Sequence, residues 1–258
     1  MNDDIGIEIN GHVATIELRR PPHNFFDVAL IEALADAMET LDADPKCRAF
    51  VMAAEGKSFC AGANLGDADA DAAEAHGKTP ADRLYARAVR LYRVKKPIIA
   101  AIHGPAIGGG LGLAMVADYR VTCPEGRFSA NFTRLGFHPG FGLTVTLPRQ
   151  VGPSRAAELF LTGRRIKGRE AVAIGLADEL VPLDQVRPRA QAIAQEMAVS
   201  APLAVLATRA TLRVGLADAV KAATDHELAE QDRLRETDDF KEGVAAMAER
   251  RPPRFNGS

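Results

Sequence analysis

Cysteine is scarce. The 258-residue chain has three, Cys47, Cys60 and Cys123, an odd number with no C-x-x-C spacing. That argues against a disulfide scaffold or a zinc ribbon and points to a reducing compartment. An excess of one charge is lacking too. Lys+Arg number 32 against 34 Asp+Glu, a formal net charge of −2. Such a balance gives no bulk attraction for nucleic acid or an anionic membrane, so neither is expected as a partner. No apolar run approaches the ~18 residues of a membrane span. The acidic start, residues 1–5, has no apolar h-region and no Arg/Ser-rich transit pattern. A soluble cytoplasmic protein is the expectation. No fixed-period repeat stands out.

What is present is enough apolar material for one large α/β domain, or a domain with an appendage: 47% of residues are hydrophobic and 26% charged. Ile5, Ile7 and Ile9 alternate up to Asn10-Gly11, and the alternation resumes at Val13. This pattern predicts a β-hairpin with both turn residues at positive φ. Asp27 is placed to cap a helix whose inner face is Leu30, Ile31, Leu34, Met38 and Leu41. Residues 49–52, 98–102 and 119–122 read as buried strands, and 81–94 as a helix between two of them. Strand–helix–strand alternation implies parallel pairing. Residues 67–80 are Ala/Asp-rich and read as a surface loop or frayed helix. From residue 153 the pattern is mostly helical, with helices expected near 154–161, 168–174, 183–200, 202–213, 216–236 and 241–250. This reads as a core over 1–200 and a helical region over 201–258.

Two glycine-containing turns each follow a predicted strand. The first, residues 57–65, is built mostly of small residues around Gly62, which lets a ligand approach the backbone. The second, residues 102–114, has Gly108-Gly109-Gly110 opening a helix, where free N–H groups and the dipole end suit an anion. Gly104 to Gly112 fits no G-x-G-x-x-G frame and lacks Gly-Lys-Ser/Thr, so neither a dinucleotide fingerprint nor a P-loop is read there. Backbone amides for one oxyanion remain.

Phe59-Cys60-Ala61-Gly62-Ala63-Asn64-Leu65 resembles the F-C-A-G-x-D-L turn of the crotonase family, the enoyl-CoA hydratase/isomerase superfamily. Lys96-Pro97 through Gly110 resembles its KPxIAAVxGxAxGGG signature, and Leu161-Thr162-Gly163 and Gly175-Leu176 its LTGxxI and AxxxGLV elements. Order and spacing agree from about Val13 to Phe255. The resemblance implies an α/β spiral of ββα turns with a helical C-terminal trimerisation region, assembled as a homotrimer or a dimer of trimers. It implies an acyl-CoA thioester as substrate, with coenzyme A entering as part of that substrate, no other cofactor and no metal. By position, the N–H groups of Ala63 and Gly109 would form an oxyanion hole. Ala61, Gly62, Asn64, Leu65, Gly108 and Phe132 would be substrate-binding, with Asn64 also readable as a cap or turn residue, and Pro22, His23 and Asn24 would lie near the nucleotide. Arg251, Arg254 and Phe255 are candidates to reach a neighbour's nucleotide.

The sequence departs from the family where hydratases carry two glutamates, for Gly112 and Phe132 stand at those positions. A third acid that some relatives carry would fall at Gly140. Addition of water needs one group to deprotonate it and another to handle the α-proton, and neither residue can do either. A standard hydratase is therefore not expected. His138 is the candidate base, and Asn131 and Arg134 could orient substrate or water. His103 reads as structural, Asp67, Asp69, Asp71 and Glu74 as loop charges, and Cys60 as a turn residue without a base partner. Two readings stay open: a crotonase-type lyase or isomerase, and an acyl-CoA-binding protein without catalysis.

Overall fold

The structure, a computed structural model, describes residues 3–63 and 80–258, with the side chains of 80–83 left aside. Asn64, Leu65 and almost all of the Ala/Asp-rich stretch fall outside the described residues.

The N-terminal hairpin pairs β1 (Ile5–Asn10) with β2 (Val13–Leu18), Asn10 opposite Val13. The turn is therefore Gly11-His12, one residue later than the expected Asn10-Gly11, and only Gly11 has a positive φ, 60°. That matches a turn requiring positive φ at its first central residue alone. α1 (Val28–Ala43) follows, capped by Asp27, whose Oδ1 accepts from Leu30 N–H at 2.8 Å. β3 (Ala49–Ala54), β4 (Ile98–Ile102) and β6 (Tyr119–Thr122) extend the sheet, all parallel to β2. α2 (Pro80–Arg93) stands between β3 and β4. β9 (Glu179–Leu180) closes the sheet, in the order β1-β2-β3-β4-β6-β9.

Both faces of the parallel part are covered, and its central strands β3 and β4 read as continuous apolar runs instead of alternating ones. Ile16, Phe50, Met52, Ile98 and Ala100 point to the core shared with α1 and α2. Val13, Val51, Ile99, Ala101 and Val121 point the other way, onto α7 (Val186–Ala198) through Ala190, Ile193 and Ala194.

A second, small sheet was not legible as separate strands. β5 (Pro105–Ile107) pairs in parallel with β7 (Arg127–Ser129), which pairs antiparallel with β8 (Ile166–Lys167). Between β5 and β6 lies α3 (Gly109–Ala114), and after β7 comes a 3-10 turn, Asn131–Leu135. α4 (Leu143–Val151) was not expected either. The later helices, α5 (Pro153–Thr162), α6 (Gly168–Ala173), α8 (Pro202–Leu212), α9 (Leu216–Arg235) and α10 (Asp238–Ala248), lie close to their expected ranges. Among the described residues no single helix is long and apolar enough to cross a membrane.

The C-terminal helices are tied to the core by polar contacts. On α9, Glu227 is fully buried and accepts from Gly142 N–H (2.8 Å), Thr144 N–H (3.0 Å) and the Thr144 hydroxyl (2.5 Å). Gln231, one turn on, accepts from the Tyr85 hydroxyl and donates to the His138 carbonyl, both at 2.9 Å. α9 thus sets the backbone of residues 138–144 from across the chain.

Candidate active site

The two glycine turns meet at the carboxyl ends of β3 and β4, where open α/β sheets place ligands. Isolated bridges join Cys60 to Ala106 and Phe26 to Ala63. Cys60 N–H donates to Pro105 O and Ile107 N–H donates to Cys60 O, both at 3.0 Å. The contact is backbone on backbone. A β-carbon on Gly110 would collide with the Cys60 carbonyl oxygen, and one on Gly62 would stand 3.0 Å from Ile107 O and 3.5 Å from Gly109 N. Gly62 also has φ +89°, so glycine is required there on both counts.

Among the amides left over are those of Ala63 and Gly109. Phe26 N–H donates to Gly62 O at 3.0 Å, so the bridge at Ala63 does not use the Ala63 N–H, which has no acceptor among the described residues. Gly109 is the first residue of α3, and its N–H has no intrahelical acceptor. The neighbouring Gly108 N–H is engaged with Ser129 O at 2.8 Å. α3 spans only 6 residues, so the expected dipole contribution is small and the amides themselves must supply any attraction for an anion.

The rest of the wall is phenyl. A β-carbon on Gly109 would collide with the Phe26 ring, and Phe26 stacks at 5.4 Å on Phe141. Phe141 is buried at φ 64° and stands 2.6 Å from where a β-carbon on Gly112 would be. Its ring thus fills the space a longer residue at 112 would need. Phe132 lies 3.8 Å from the β-position of Gly108 and stacks at 5.5 Å on Phe137. A side chain at 140 would run into the Tyr85 hydroxyl. Replacing the two expected carboxylates is therefore a packed aromatic arrangement, with no empty slot at 112 or 140.

Asn24 requires a correction. It is fully buried, and its Nδ2 donates to Glu55 O (2.6 Å) and Ser58 O (2.8 Å) while Oδ1 accepts from Arg20 N–H (2.9 Å). With both donors spent it has nothing to offer a nucleotide. It instead staples the 20–24 turn to the segment before the first glycine turn. Asn24→Ala is expected to destabilise the fold by about 1–3 kcal/mol, because it orphans buried partners, as a lowered urea midpoint would show. His23 is exposed, with Nδ1 3.3 Å from the Ser58 hydroxyl and its ring 5.6 Å from Phe25. Ala61 N–H donates to His23 O at 3.0 Å, which links this turn to the site.

The other candidates are placed as follows. His138 Nδ1 donates to Pro139 O at 2.8 Å and the ring packs edge-on to His226 of α9, centroids 5.8 Å apart, leaving Nε2 without a hydrogen-bond partner among the described residues. Arg134 donates to Thr162 O at 2.7 Å, away from the turns. His103 Nε2 donates to Gly56 O at 3.1 Å, and burial lowers its pKa, which favours the neutral ring. Burial pushes the Cys60 thiol up to about 12, which removes it as a nucleophile near neutral pH. Arg251 is committed to Glu242 and Glu249 on and beside α10. Among the described residues no cluster of His, Cys, Asp and Glu could hold a metal ion. Sequence reasoning missed Phe26, Phe141 and Tyr85 as wall residues; no local pattern marks them, because they meet only through packing.

A family model described as enoyl-CoA hydratase/isomerase matches residues 8–258. The chain belongs to the enoyl-CoA hydratase/isomerase family. It is 34% identical over 255 residues to a "Probable enoyl-CoA hydratase" of Rhodobacter capsulatus, covering 98% of each chain. It is 31% identical over 266 residues to the carnitinyl-CoA dehydratase of Proteus mirabilis, covering 100% of each. Among solved structures, the enoyl-CoA hydratase/isomerase of Pseudoalteromonas atlantica superposes with a TM-score of 0.88 at 30% identity, over 98% of this chain and 100% of that one. The family and its crotonase fold are as the two turns implied.

Proposed function

We propose that this protein acts on an acyl-CoA thioester, holding the thioester carbonyl oxygen between the N–H groups of Ala63 and Gly109, by chemistry other than hydration through paired carboxylates. The observation behind this reading is the meeting of two backbone turns at which the Ala63 and Gly109 N–H groups have no acceptor among the described residues. Such a pair lowers the energy of an enolate or a tetrahedral oxyanion, because the donors are fixed before charge develops. Fixing them here is the work of the Cys60–Ala106 and Phe26–Ala63 bridges. Ala61, Gly62 and Gly108 shape the approach, Phe132 lines the acyl side, and the exposed His23 is the group left to meet the nucleotide.

The relatives' names support an acyl-CoA lyase or hydratase-like enzyme. Gly112, Phe132 and Gly140 supply no acid or base, and His138 retains only Nε2 for that task. A second reading, an acyl-CoA-binding protein without catalysis, draws on Phe141 filling the space beside Gly112. One experiment separates them. Binding of acyl-CoAs is measured by calorimetry, and turnover is followed over enoyl-, 3-hydroxyacyl- and dienoyl-CoAs. Turnover of any member supports the enzyme; tight binding with none converted supports the carrier; no binding at all overturns both.

Assembly as a homotrimer or a dimer of trimers belongs to the same proposal. Val199, Leu203, Leu212 and Val214 stand exposed around α8, an apolar surface of the kind that subunit contacts cover.

A further inference from the structure

Beside Gly108, the residue before Gly109, stands a polar side chain with no assigned task. In the parallel pair β5–β7, Ile107 lies opposite Ser129. The pairing ends there, with Gly108 N–H donating to Ser129 O at 2.8 Å, after which one chain segment enters α3 at Gly109 and the other enters the 3-10 turn at Asn131. Asn131 is half-buried, its Oδ1 lies 3.5 Å from the β-position of Gly108, and its carboxamide has no hydrogen-bond partner among the described residues. Its polar neighbours engage other partners. The Thr133 hydroxyl donates to Phe160 O (2.7 Å), Arg134 to Thr162 O (2.7 Å), and the Ser129 hydroxyl to Gly163 O (3.2 Å). Next to it Phe132 is apolar, and across the turn the wall is Phe26 and Phe141.

We infer that Asn131 is a specificity-determining residue. Its carboxamide binds a hydroxyl or carbonyl substituent on the acyl chain, one or two bonds from the thioester carbonyl, and so selects oxygen-substituted acyl-CoA over the plain acyl chain. The inference rests on the thioester reading above. A carboxamide offers two donors and an acceptor and does not titrate near neutral pH, so it orients a polar group without exchanging protons. Among the described residues of this mostly phenyl wall, it is a group that can compensate a substrate oxygen for its lost water.

The test compares 3-hydroxybutyryl-CoA with butyryl-CoA, which differ by that one oxygen, by calorimetry on the wild-type protein and on Asn131→Ala. Wild type is expected to prefer the hydroxy compound by about 5–10-fold, the scale of one neutral hydrogen bond. Asn131→Ala is expected to bring the ratio close to one while leaving the Kd of butyryl-CoA unchanged. No hydrogen bond to a described residue is lost in the variant, so its melting temperature should match wild type. A preserved ratio, an equal weakening of both ligands, or a wild-type ratio of one overturns the inference while the thioester reading stands. Failure of both thioesters to bind the wild-type protein overturns both. Asn131→Asp, of the same shape and still an acceptor for the hydroxyl, is expected to keep the hydroxy preference that alanine loses; loss of the preference in both variants counts against the assignment.

Discussion

Gly109→Pro is expected to turn over its thioester about 10²–10³-fold more slowly than Gly109→Ala, the scale of one lost oxyanion donor. The comparison is with alanine because either residue adds a β-carbon, and that atom collides with the Phe26 ring. Both variants therefore disturb Phe26, and only proline also removes the N–H. The backbone position tolerates this, since Gly109 is the first residue of α3, where proline breaks no helical hydrogen bond. The preceding residue, Gly108, is a glycine and so lacks the side chain that crowds a following proline. Steady-state kcat/KM of the two variants, on whichever thioester the wild type converts, gives the result directly. Equal rates in two folded variants would remove Gly109 from the oxyanion hole.

The largest effect on stability is expected at Asp118, just before β6. Its Oδ2 accepts from Ile98 N–H (2.9 Å) and Arg209 Nε (2.7 Å), and its Oδ1 accepts from Arg213 Nη1 (2.7 Å). The Arg209 and Arg213 side chains are only 8% and 13% exposed. Arg120 is buried close by, paired with Asp178 at 2.9 Å. Burial lowers the pKa of Arg209, with Asp118 pulling it back up and Arg213 lowering it further. Asp118 is thus the carboxylate that lets two cations stay buried side by side. Asp118→Ala is expected to cost about 3–5 kcal/mol, because it leaves buried charge uncompensated, against about 0–1 kcal/mol for an exposed pair such as Lys221–Asp225. Urea unfolding at neutral pH measures it. A loss under about 1 kcal/mol would place the cluster in the solvent-screened class. The cluster also bolts α8 and the segment after it to the amino ends of β4 and β6, so its loss should loosen the sheet at the end opposite the glycine turns.

Elements that complete themselves locally were legible in the sequence. α1 carries its own cap, Asp27 onto Leu30, and its own apolar stripe. β3 and β4 are short apolar runs that can only be buried. What escaped depends on partners distant in the chain. α4 begins at Gly142 with no side-chain cap of its own, and its first amides are satisfied by Glu227, 83–85 residues later. β5, β7 and β8 are 2–3 residues long and exist only through their pairing. In the site, the glycines of both turns were visible, and so were the non-ionisable residues at 112 and 132. Their consequence was not.

By itself, then, the sequence determined the family, the parallel α/β order, the two small-residue turns and the lack of carboxylates at the expected positions, because each is written in a local run of residues. Only the tertiary structure decided that a β-carbon on Gly62 would press on the second turn, that Phe141 occupies the space beside Gly112, that Asn24 is spent on the backbone and that Asn131 stands beside Gly108 with no hydrogen-bond partner among the described residues. Those are matters of which atoms meet and which hydrogen bonds are already taken. Packing settles them between residues tens of positions apart, where no local pattern records the outcome.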